Sequence, residues 1–321
     1  MKSNISLILN GKDPKVLASQ KAEQKLYSYY ELKTKDYYIH LVKADIKMRV
    51  TEIGTGKPII LVPGNTGDAF PLIPLMAELK GRRIIAINRP GGGLSDGMDY
   101  ENVDFRELTI ETIETVMNTF QIDSAPFVGH SIGGHWCQWF AMDRPERVEA
   151  LVLLGVPGNI INTCPPLALR MLSIHGINSV LYRFAVSEKR EKALNGLKFM
   201  GHSEETLRKL PEAMAECYYN FQQLPNYKKS SLSMMESINR PWGSNARIKI
   251  RENELRSIKH PVLYLWGTND PFGSIATGRH IAGYVKNSVF HEVQNAGHLP
   301  WLDKAQECGA QILGFLAKND K

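Results

Sequence analysis

The 321-residue sequence has only four cysteines, Cys137, Cys164, Cys217 and Cys308, and no two of them form a C-x-x-C pair. This spacing matches neither the common zinc motifs nor a disulfide framework, so we expect free thiols in a reducing compartment. A Cys164–Cys217 bridge stays open as an alternative, because both residues lie in one segment of the chain.

Long hydrophobic runs are also missing. No apolar stretch approaches the ~20 residues of a transmembrane helix, and the N-terminal run from Ile5 to Leu9 is shorter than the ~7–15 residues of a signal-peptide core. There is no arginine-rich run and no nucleic-acid reader motif. With 43% hydrophobic and 22% charged residues, the composition is that of a globular protein. We expect a cytoplasmic protein without a transmembrane segment or a nucleic-acid partner; the oligomeric state is not indicated.

The formal net charge of +6 is unevenly distributed. Between Gly158 and Ile250 there are 13 Lys and Arg residues against 7 Asp and Glu, and the rest of the chain is balanced. One interpretation is an electropositive surface that attracts an anionic substrate or an acidic surface. The other is a lysine-rich helical face that is simply solvated.

Short, wholly apolar runs alternate with helical patterns along most of the chain. Runs without polar alternation are typical of strands buried on both faces of a parallel sheet. The wholly apolar runs that we interpret as such strands are Ile59–Val62, Ile84–Ile87, Ala125–Val128 and Leu151–Leu154. Two further predicted strands, Val262–Trp266 and Ser288–Val293, continue the alternation later in the chain. The helical patterns are Pro71–Leu79, Phe105–Phe120, Ile132–Met142, Ser274–Val285 and Leu302–Phe315. This alternation predicts βαβ units and an α/β fold with helices on both faces of the sheet.

The alternation is preceded by other patterns and interrupted once. A polar N-terminal stretch contains a predicted helix from Pro14 to Glu31, and Tyr37–Val42 with Asp45–Ile53 predict a hairpin. At Gly158 the alternation gives way to roughly ninety residues of helix-like sequence. We therefore predict an N-terminal extension (residues 1–36), an α/β core in two pieces (37–157 and 250–321) and a helical cap insertion between them (158–249).

A G-x-S-x-G motif, Gly129-His130-Ser131-Ile132-Gly133, lies between a predicted strand and a predicted helix. In this context the motif indicates a nucleophile elbow, a turn so tight that its flanking positions need glycine. The turn exposes the serine hydroxyl at a helix N-terminus, where negative charge is favoured. The alternative is a glycine-rich turn without chemistry. Because the strand and helix context is present, we take Ser131 as the candidate nucleophile.

A serine nucleophile needs a histidine base that is oriented by a carboxylate. Asp270 and His298 each follow a predicted strand, 28 positions apart. Because the carboxyl ends of parallel strands share one edge of the sheet, both are expected beside Ser131. The other eight histidines lack such a context, and His130 is expected to point elsewhere. No carboxylate follows Leu151–Leu154, so Asp270 has no rival there.

The developing oxyanion needs two hydrogen-bond donors. One candidate is the backbone N–H of Ile132, which follows the nucleophile; the other is that of Asn65, with Thr66 as second choice, in the loop after Ile59–Val62. The alternative is that this loop is an ordinary turn after a strand, without a catalytic role. The three glycines of Gly91–Gly93 lack the Lys-Ser/Thr ending of a P-loop, which favours a structural loop.

The motifs, in order, resemble those of capped α/β-hydrolases of the esterase, lipase and C–C hydrolase group. The resemblance covers about residues 37–318 and rests on Pro63–Asn65, Arg89–Asp96, Gly129–Gly134, Trp266–Pro271 and Gly297–Pro300. It implies a mostly parallel, eight-stranded sheet, a helical cap, and catalysis without a metal or organic cofactor. Two positions depart from the pattern, since relatives often have His where this chain has Pro63 and Asp where it has Asn88. The serine argues against the dehalogenases and epoxide hydrolases, which use aspartate.

The sequence thus predicts a serine hydrolase that cleaves a carboxylic ester through an acyl-enzyme. Ser131 attacks, His298 transfers the proton, Asp270 orients the imidazole, and Ile132 and Asn65 bind the oxyanion. The substrate is a small ester-like molecule, anionic if the basic segment faces it. The alternatives are a C–C, lactone or thioester hydrolase with the same triad, and a ligand receptor with slow turnover.

The apolar side chains of the insertion either pack it onto the core or line an acyl pocket, and the sequence does not separate the two sets. They are Leu167, Leu169, Met171, Leu172, Leu181, Phe184, Met200, Met214, Tyr218, Phe221 and Leu224.

Overall fold

The computed structural model describes residues 5–156, 164–187 and 189–319. Its main sheet has eight strands: β1 (Thr34–Leu41), β2 (Ile46–Ile53), β3 (Lys57–Val62), β4 (Arg82–Ile87), β5 (Ala125–His130), β6 (Val148–Leu154), β7 (Val262–Gly267) and β8 (Ser288–Val293). Their spatial order is β1-β2-β4-β3-β5-β6-β7-β8. The pairs β1–β2 and β2–β4 are antiparallel, and the other pairs are parallel. The predicted eight-stranded, mostly parallel sheet is confirmed.

Helices cover both faces of this sheet and fill the β6–β7 connection. They are α1 (Pro14–Tyr29), α2 (Ile73–Glu78), α3 (Phe105–Thr119), α4 (Ile132–Asp143), α5 (Leu167–Met171), α6 (Ile177–Ala185), α7 (Glu204–Lys209), α8 (Glu212–Phe221), α9 (Tyr227–Ile238), α10 (Glu252–Ser257), α11 (Ile275–Ala282), α12 (Pro300–Asp303) and α13 (Ala305–Asn319). Short 3-10 segments lie at Phe70–Leu72, Pro145–Arg147, Arg190–Met200 and Ala246–Ile248. Of the helices described, none is long and apolar enough to cross a membrane.

Smaller elements complete the architecture. Two short antiparallel pairs join Ile5–Leu7 to Gly97–Met98 and Asn239–Arg240 to Gly243–Ser244. The final helical pattern was predicted as one helix from Leu302 to Phe315. It is instead divided at Lys304, whose non-helical backbone angles (φ −141°, ψ 59°) end α12, and α13 begins at the next residue.

The central strands form because their side chains are apolar on both faces. In β3, Ile60 and Val62 pack into one hydrophobic cluster, and Ile59 and Leu61 pack into a second cluster on the other face. Successive side chains of a strand point to opposite faces, so a strand without polar alternation requires cover on both sides. Helices supply that cover and leave the carboxyl edge of the sheet to its loops.

The N-terminal helix α1 lies against the sheet and against α8. Asp13 caps it by accepting a hydrogen bond from the backbone N–H of Lys15. Although α1 is polar, its inner face buries Glu23, which pairs with Arg49 of β2 at 2.6 Å. Arg49 also pairs with Asp36 at 2.8 Å. Charges thus connect the helix to the sheet in a place where most helices use only apolar contacts.

We expect Glu23→Leu to lower the free energy of unfolding by about 3–5 kcal/mol, because it leaves the buried Arg49 guanidinium without one of its two carboxylates. Lys25→Ala on the same helix is the matched control. Lys25 is half exposed and pairs with Glu216 at 2.8 Å, so its loss should cost less than about 1 kcal/mol. Urea denaturation of both variants measures the difference, and equal losses would contradict a structural role for the Glu23–Arg49 pair.

Candidate active site at the carboxyl edge of the sheet

Ser131 occupies the turn between β5 and α4 with φ 52° and ψ −122°, a backbone conformation that a residue with a side chain rarely adopts. Its backbone N–H donates to the carbonyl of Leu154 at 3.0 Å. A Cβ at Gly133 would lie 2.3 Å from the carbonyl oxygens of Pro63 and Val62, so only glycine fits there. The geometry is that expected of a nucleophile elbow.

Asp270 and His298 follow β7 and β8 and lie in contact at the same edge. Nδ1 of His298 is 2.8 Å from Oδ2 of Asp270, and both side chains are buried. The backbone N–H of Phe272 donates to the other carboxylate oxygen at 2.8 Å. With Nδ1 bound to the carboxylate, Nε2 is the nitrogen left to accept a proton.

Ser131 and His298 line a common cavity of about 190 Å³. Ile132, Asn65 and Thr66, the candidate oxyanion residues, also line it, whereas Asp270 lies behind the His298 ring. The structure therefore brings all the sequence-predicted site residues together. A larger open cleft of about 1170 Å³ lies beside α9 and contains none of them.

Arg89, which the sequence interpretation left without a role, holds the loop that carries Asn65. Its guanidinium donates to the carbonyl oxygens of Pro63 at 3.1 Å and Asn65 at 2.9 Å, and also to that of Gly64. The side chain is fully buried beside the Trp136 ring, 5.0 Å from its centroid, and burial lowers the pKa of the guanidinium. Its sequence signal was an arginine two residues after the end of a buried strand.

His130 lies in the site, so the expectation that it points elsewhere is wrong. It lines the cavity, and its Nε2 is 3.2 Å from the carbonyl oxygen of His298. Its ring packs 4.8 Å from the rings of both His298 and Trp301, measured between centroids. Burial lowers the pKa of His130 well below its ordinary value. A neutral His130 therefore contacts the candidate base without adding a charge beside it.

A second histidine–carboxylate pair joins the β6–β7 connection to the loop of His298, and the sequence interpretation missed it. Nδ1 of His202 is 2.7 Å from Oδ2 of Asp303, which also accepts from the backbone N–H of Gly297 at 2.9 Å. The backbone N–H of His298 donates to the carbonyl of Met200 at 2.8 Å. The β6–β7 connection is thus fastened to the segment that presents the candidate base.

The inserted apolar residues divide into distinct groups. Leu169, Met200 and Tyr218 line the cavity. Met214, Phe221 and Leu224 are buried in the core, whereas Leu167 and Leu181 are exposed. The side chain of Phe184 lies outside the described residues. Lining residues that the sequence interpretation did not single out include Pro165, Pro166, Met235, Ile238 and Phe272.

All four cysteines are free, so the Cys164–Cys217 bridge that the sequence left open is not formed. Cys164 is exposed at the cavity. Cys217 packs in the core with Met214 and Phe221, and burial raises the pKa of its thiol. Burial likewise raises the thiol pKa of Cys137 and Cys308.

Comparison with known proteins shows similarity to hydrolases. The chain is 26% identical over 292 residues to a 2-hydroxy-6-oxononadienedioate/2-hydroxy-6-oxononatrienedioate hydrolase of Paraburkholderia phymatum, covering 88% of this chain and 95% of that protein. It is 24% identical over 284 residues to a 2-hydroxymuconate semialdehyde hydrolase of Pseudomonas sp. strain CF600, covering 87% of this chain and 94% of that protein.

A solved structure shares the fold. The naproxen esterase of Bacillus subtilis superposes with a TM-score of 0.71 at 16% identity, over 95% of this chain and 99% of that one. The family model described as the alpha/beta hydrolase fold matches residues 57–305, which include the strained Ser131, Asp270 and His298. On its sheet order and on this match, the chain belongs to the α/β-hydrolase family.

Proposed function

We propose that this chain is a serine hydrolase that works through an acyl-enzyme. Ser131 Oγ attacks a carbonyl carbon while Nε2 of His298 takes the hydroxyl proton, and Asp270 holds the imidazole at Nδ1. The N–H groups of Ile132 and Asn65 stabilise the oxyanion. The leaving group takes the proton from His298, and a water molecule activated by His298 then hydrolyses the acyl-enzyme. The 2.8 Å contact of His298 with Asp270, beside the cavity that Ser131 lines, carries this proposal.

For the bond that is cleaved, we favour a C–C bond next to an aldehyde or ketone carbonyl group. The similarity to the Paraburkholderia and Pseudomonas hydrolases extends over most of each chain, and the names of both describe conjugated oxo acids as substrates. In such a molecule the leaving carbon carries an electron pair that a conjugated carbonyl must accept. The enzyme therefore supplies the nucleophile and the proton transfers, and the substrate supplies the electron sink.

A carboxylic ester is the second candidate, and the charge of the cavity favours it. No Lys or Arg side chain lines the cavity among the residues that the structure describes. A dicarboxylate would enter without a cation to balance it, which is costly in a buried site. A neutral ester does not meet this cost. Within the C–C class, the same argument favours a monocarboxylate over a dicarboxylate.

We also propose that residues 158–249 form a cap over the site, between the two pieces of the core, and that residues 1–36 form an extension. Lining residues of the connection and the His202–Asp303 pair support the cap. The lack of Lys and Arg among the described lining residues supports the interpretation that the basic excess of this segment is mainly a solvated face.

One panel tests the proposed function. We expect kcat/KM for 2-hydroxymuconate semialdehyde to exceed that of the best p-nitrophenyl ester, from acetate to octanoate, by at least about 10-fold. The kcat/KM for 2-hydroxymuconate semialdehyde should also exceed the kcat/KM for 2-hydroxy-6-oxononadienedioate. Loss of the dienolate absorbance and release of p-nitrophenol are the two readouts, with Ser131→Ala as the background.

Faster turnover of the esters would replace the C–C assignment with the ester assignment. No turnover of either class, together with Ser131 unlabelled by a fluorophosphonate, would overturn the serine hydrolase and favour a ligand receptor.

A further inference from the structure

Asp68 is a buried carboxyl group in the substrate cavity to which the triad mechanism gives no task. It follows the loop of Asn65 and Thr66 and immediately precedes Ala69, which leads into the 3-10 turn at Phe70. Only 2% of its surface is exposed to solvent, yet it lines the same cavity as Ser131. Asp68 is therefore part of the wall of the cavity that a substrate would fill.

The surroundings of Asp68 leave part of its hydrogen-bonding capacity free. Its carboxyl group interacts with the side chain of Thr66 and the backbone of Gly93. Its Oδ1 is fully buried and has no hydrogen-bond partner among the described residues. The guanidinium of the neighbouring Arg89 donates its hydrogen bonds to the carbonyl oxygens of residues 63–65 rather than to Asp68. A buried polar atom without a partner is costly unless a ligand or water satisfies it.

The protonation state of this carboxyl follows from its burial. The pKa of Asp68 is raised to about 8, mainly by burial and also by Glu23 of α1, against the lowering by the Thr66 hydroxyl, the Gly93 backbone and Arg89. Four further titratable groups are close enough to interact with it, and burial raises the pKa of each: Tyr182 of α6, Cys217 and Tyr218 of α8, and Tyr227 of α9. The phenols and the thiol stay neutral, so at neutral pH the pocket holds a neutral carboxylic acid with an O–H to donate.

We propose that Asp68 is a hydrogen-bond donor that binds a neutral carbonyl or hydroxyl oxygen of the substrate and selects against a carboxylate at that position. This inference rests on the proposed function, because it specifies a subsite of the same cavity. A neutral oxygen can accept the Asp68 proton without any charge being buried. A carboxylate brought to the same place would compete for that proton, and no Lys or Arg of the described lining would balance its charge.

Three p-nitrophenyl esters of matched length test the subsite: heptanoate, 6-oxoheptanoate, and the adipate monoester, in which a carboxylate replaces the terminal acetyl group. At pH 6.5 we expect the wild type to prefer the oxo ester to heptanoate, and also to the adipate monoester, by at least about 10-fold in kcat/KM. Asp68→Asn keeps an N–H donor and should retain the preference over heptanoate within about 3-fold. Asp68→Leu removes the donor and should lose the preference over heptanoate.

The pH dependence adds a readout that a purely structural role of Asp68 would not change. As pH rises through about 8, Asp68 loses its proton, so the donor disappears and a negative charge enters the cavity. The wild-type preference for the oxo ester over heptanoate should therefore fall above pH 8, and that of Asp68→Asn should not. If Asp68→Leu does not fold, this comparison still decides the question.

The inference is overturned if Asp68→Leu keeps the wild-type preference for the oxo ester over heptanoate, or if Asp68→Asn shows the same fall with pH. If the esters are not turned over, protection of Ser131 against a fluorophosphonate by the ketone heptan-2-one is compared between the wild type and Asp68→Leu. Weaker protection in Asp68→Leu supports the subsite, and equal protection in the two proteins overturns it. Absence of any labelling of Ser131 defeats the proposed function instead, which separates the two failures.

Discussion

Ser131→Ala should lower kcat by about 10⁵–10⁶-fold on any substrate that the wild type hydrolyses, because no other group can form the acyl-enzyme. His298→Ala should cost about as much, since the serine hydroxyl is a weak nucleophile without its base. The residues act as one unit, so a double variant should be little worse than either single one. Single-turnover measurements of acyl-enzyme formation test this directly.

Asp270→Asn should retain the fold and lower kcat by about 10⁴-fold. The amide can present an N–H to Nδ1 of His298, which favours the tautomer that carries its proton on Nε2. That tautomer cannot accept the Ser131 proton. Restoration of activity by Asp270→Glu to well above the Asn level would indicate that the carboxylate, rather than packing at this position, is required.

Two exposed residues supply matched controls for the triad variants. His280 lies on the exposed side of α11, and Ser28 lies on the exposed side of α1. His280→Ala and Ser28→Ala should keep kcat within about 2-fold, since surface changes away from the site have small effects. Activity of Ser131→Ala within about 100-fold of the wild type would contradict the assignment of the nucleophile.

The second large effect is expected at Arg89, which contacts three consecutive carbonyl oxygens of the loop that carries Asn65. Without the guanidinium these buried carbonyls lose their donors and the loop loses its fixed shape. Arg89→Met should lower kcat by about 10²–10³-fold, the cost of one oxyanion donor, and lower the free energy of unfolding by at least about 3 kcal/mol. KM should change less than kcat, because the cavity walls remain.

Arg89→Lys separates charge from geometry. A lysine ammonium preserves the charge but lacks the planar fork that reaches several carbonyls at once, so it should recover stability only in part and leave kcat at least about 10-fold low. Arg83→Ala, on β4 and paired with Glu52 at 2.6 Å in a partly exposed position, is the control and should leave kcat unchanged. Wild-type kcat in Arg89→Lys would show that this arginine does not position the oxyanion loop. The rate at which a fluorophosphonate labels Ser131 measures the nucleophilic attack independently of substrate turnover.

Much of the fold could be predicted because it depends on local patterns. The apolar runs that correspond to β3 to β7 can be recognised without knowing their partner strands, since burial on both faces leaves a signal within four to eight residues. The elbow at Ser131 can be predicted in the same way, because its turn needs glycine on both sides. The candidates Asp270 and His298 followed from a topological rule, that parallel strands end at one edge. The family match and the sheet order confirm the predicted α/β-hydrolase fold.

The remainder was decided by contacts between distant positions, which leave no periodic signal in the chain. His202 meets Asp303 across 101 positions, and Arg89 reaches back to Gly64 across 25. Nothing in the sequence around Asp68 shows that its carboxyl is buried in the cavity of Ser131, because burial is a property of the packed loops and of α8. The sequence alone therefore determined the sheet and the candidate nucleophile, base and acid. The tertiary structure decided what surrounds them, because the dielectric environment and the hydrogen-bond partners of a buried group exist only once the chain has packed.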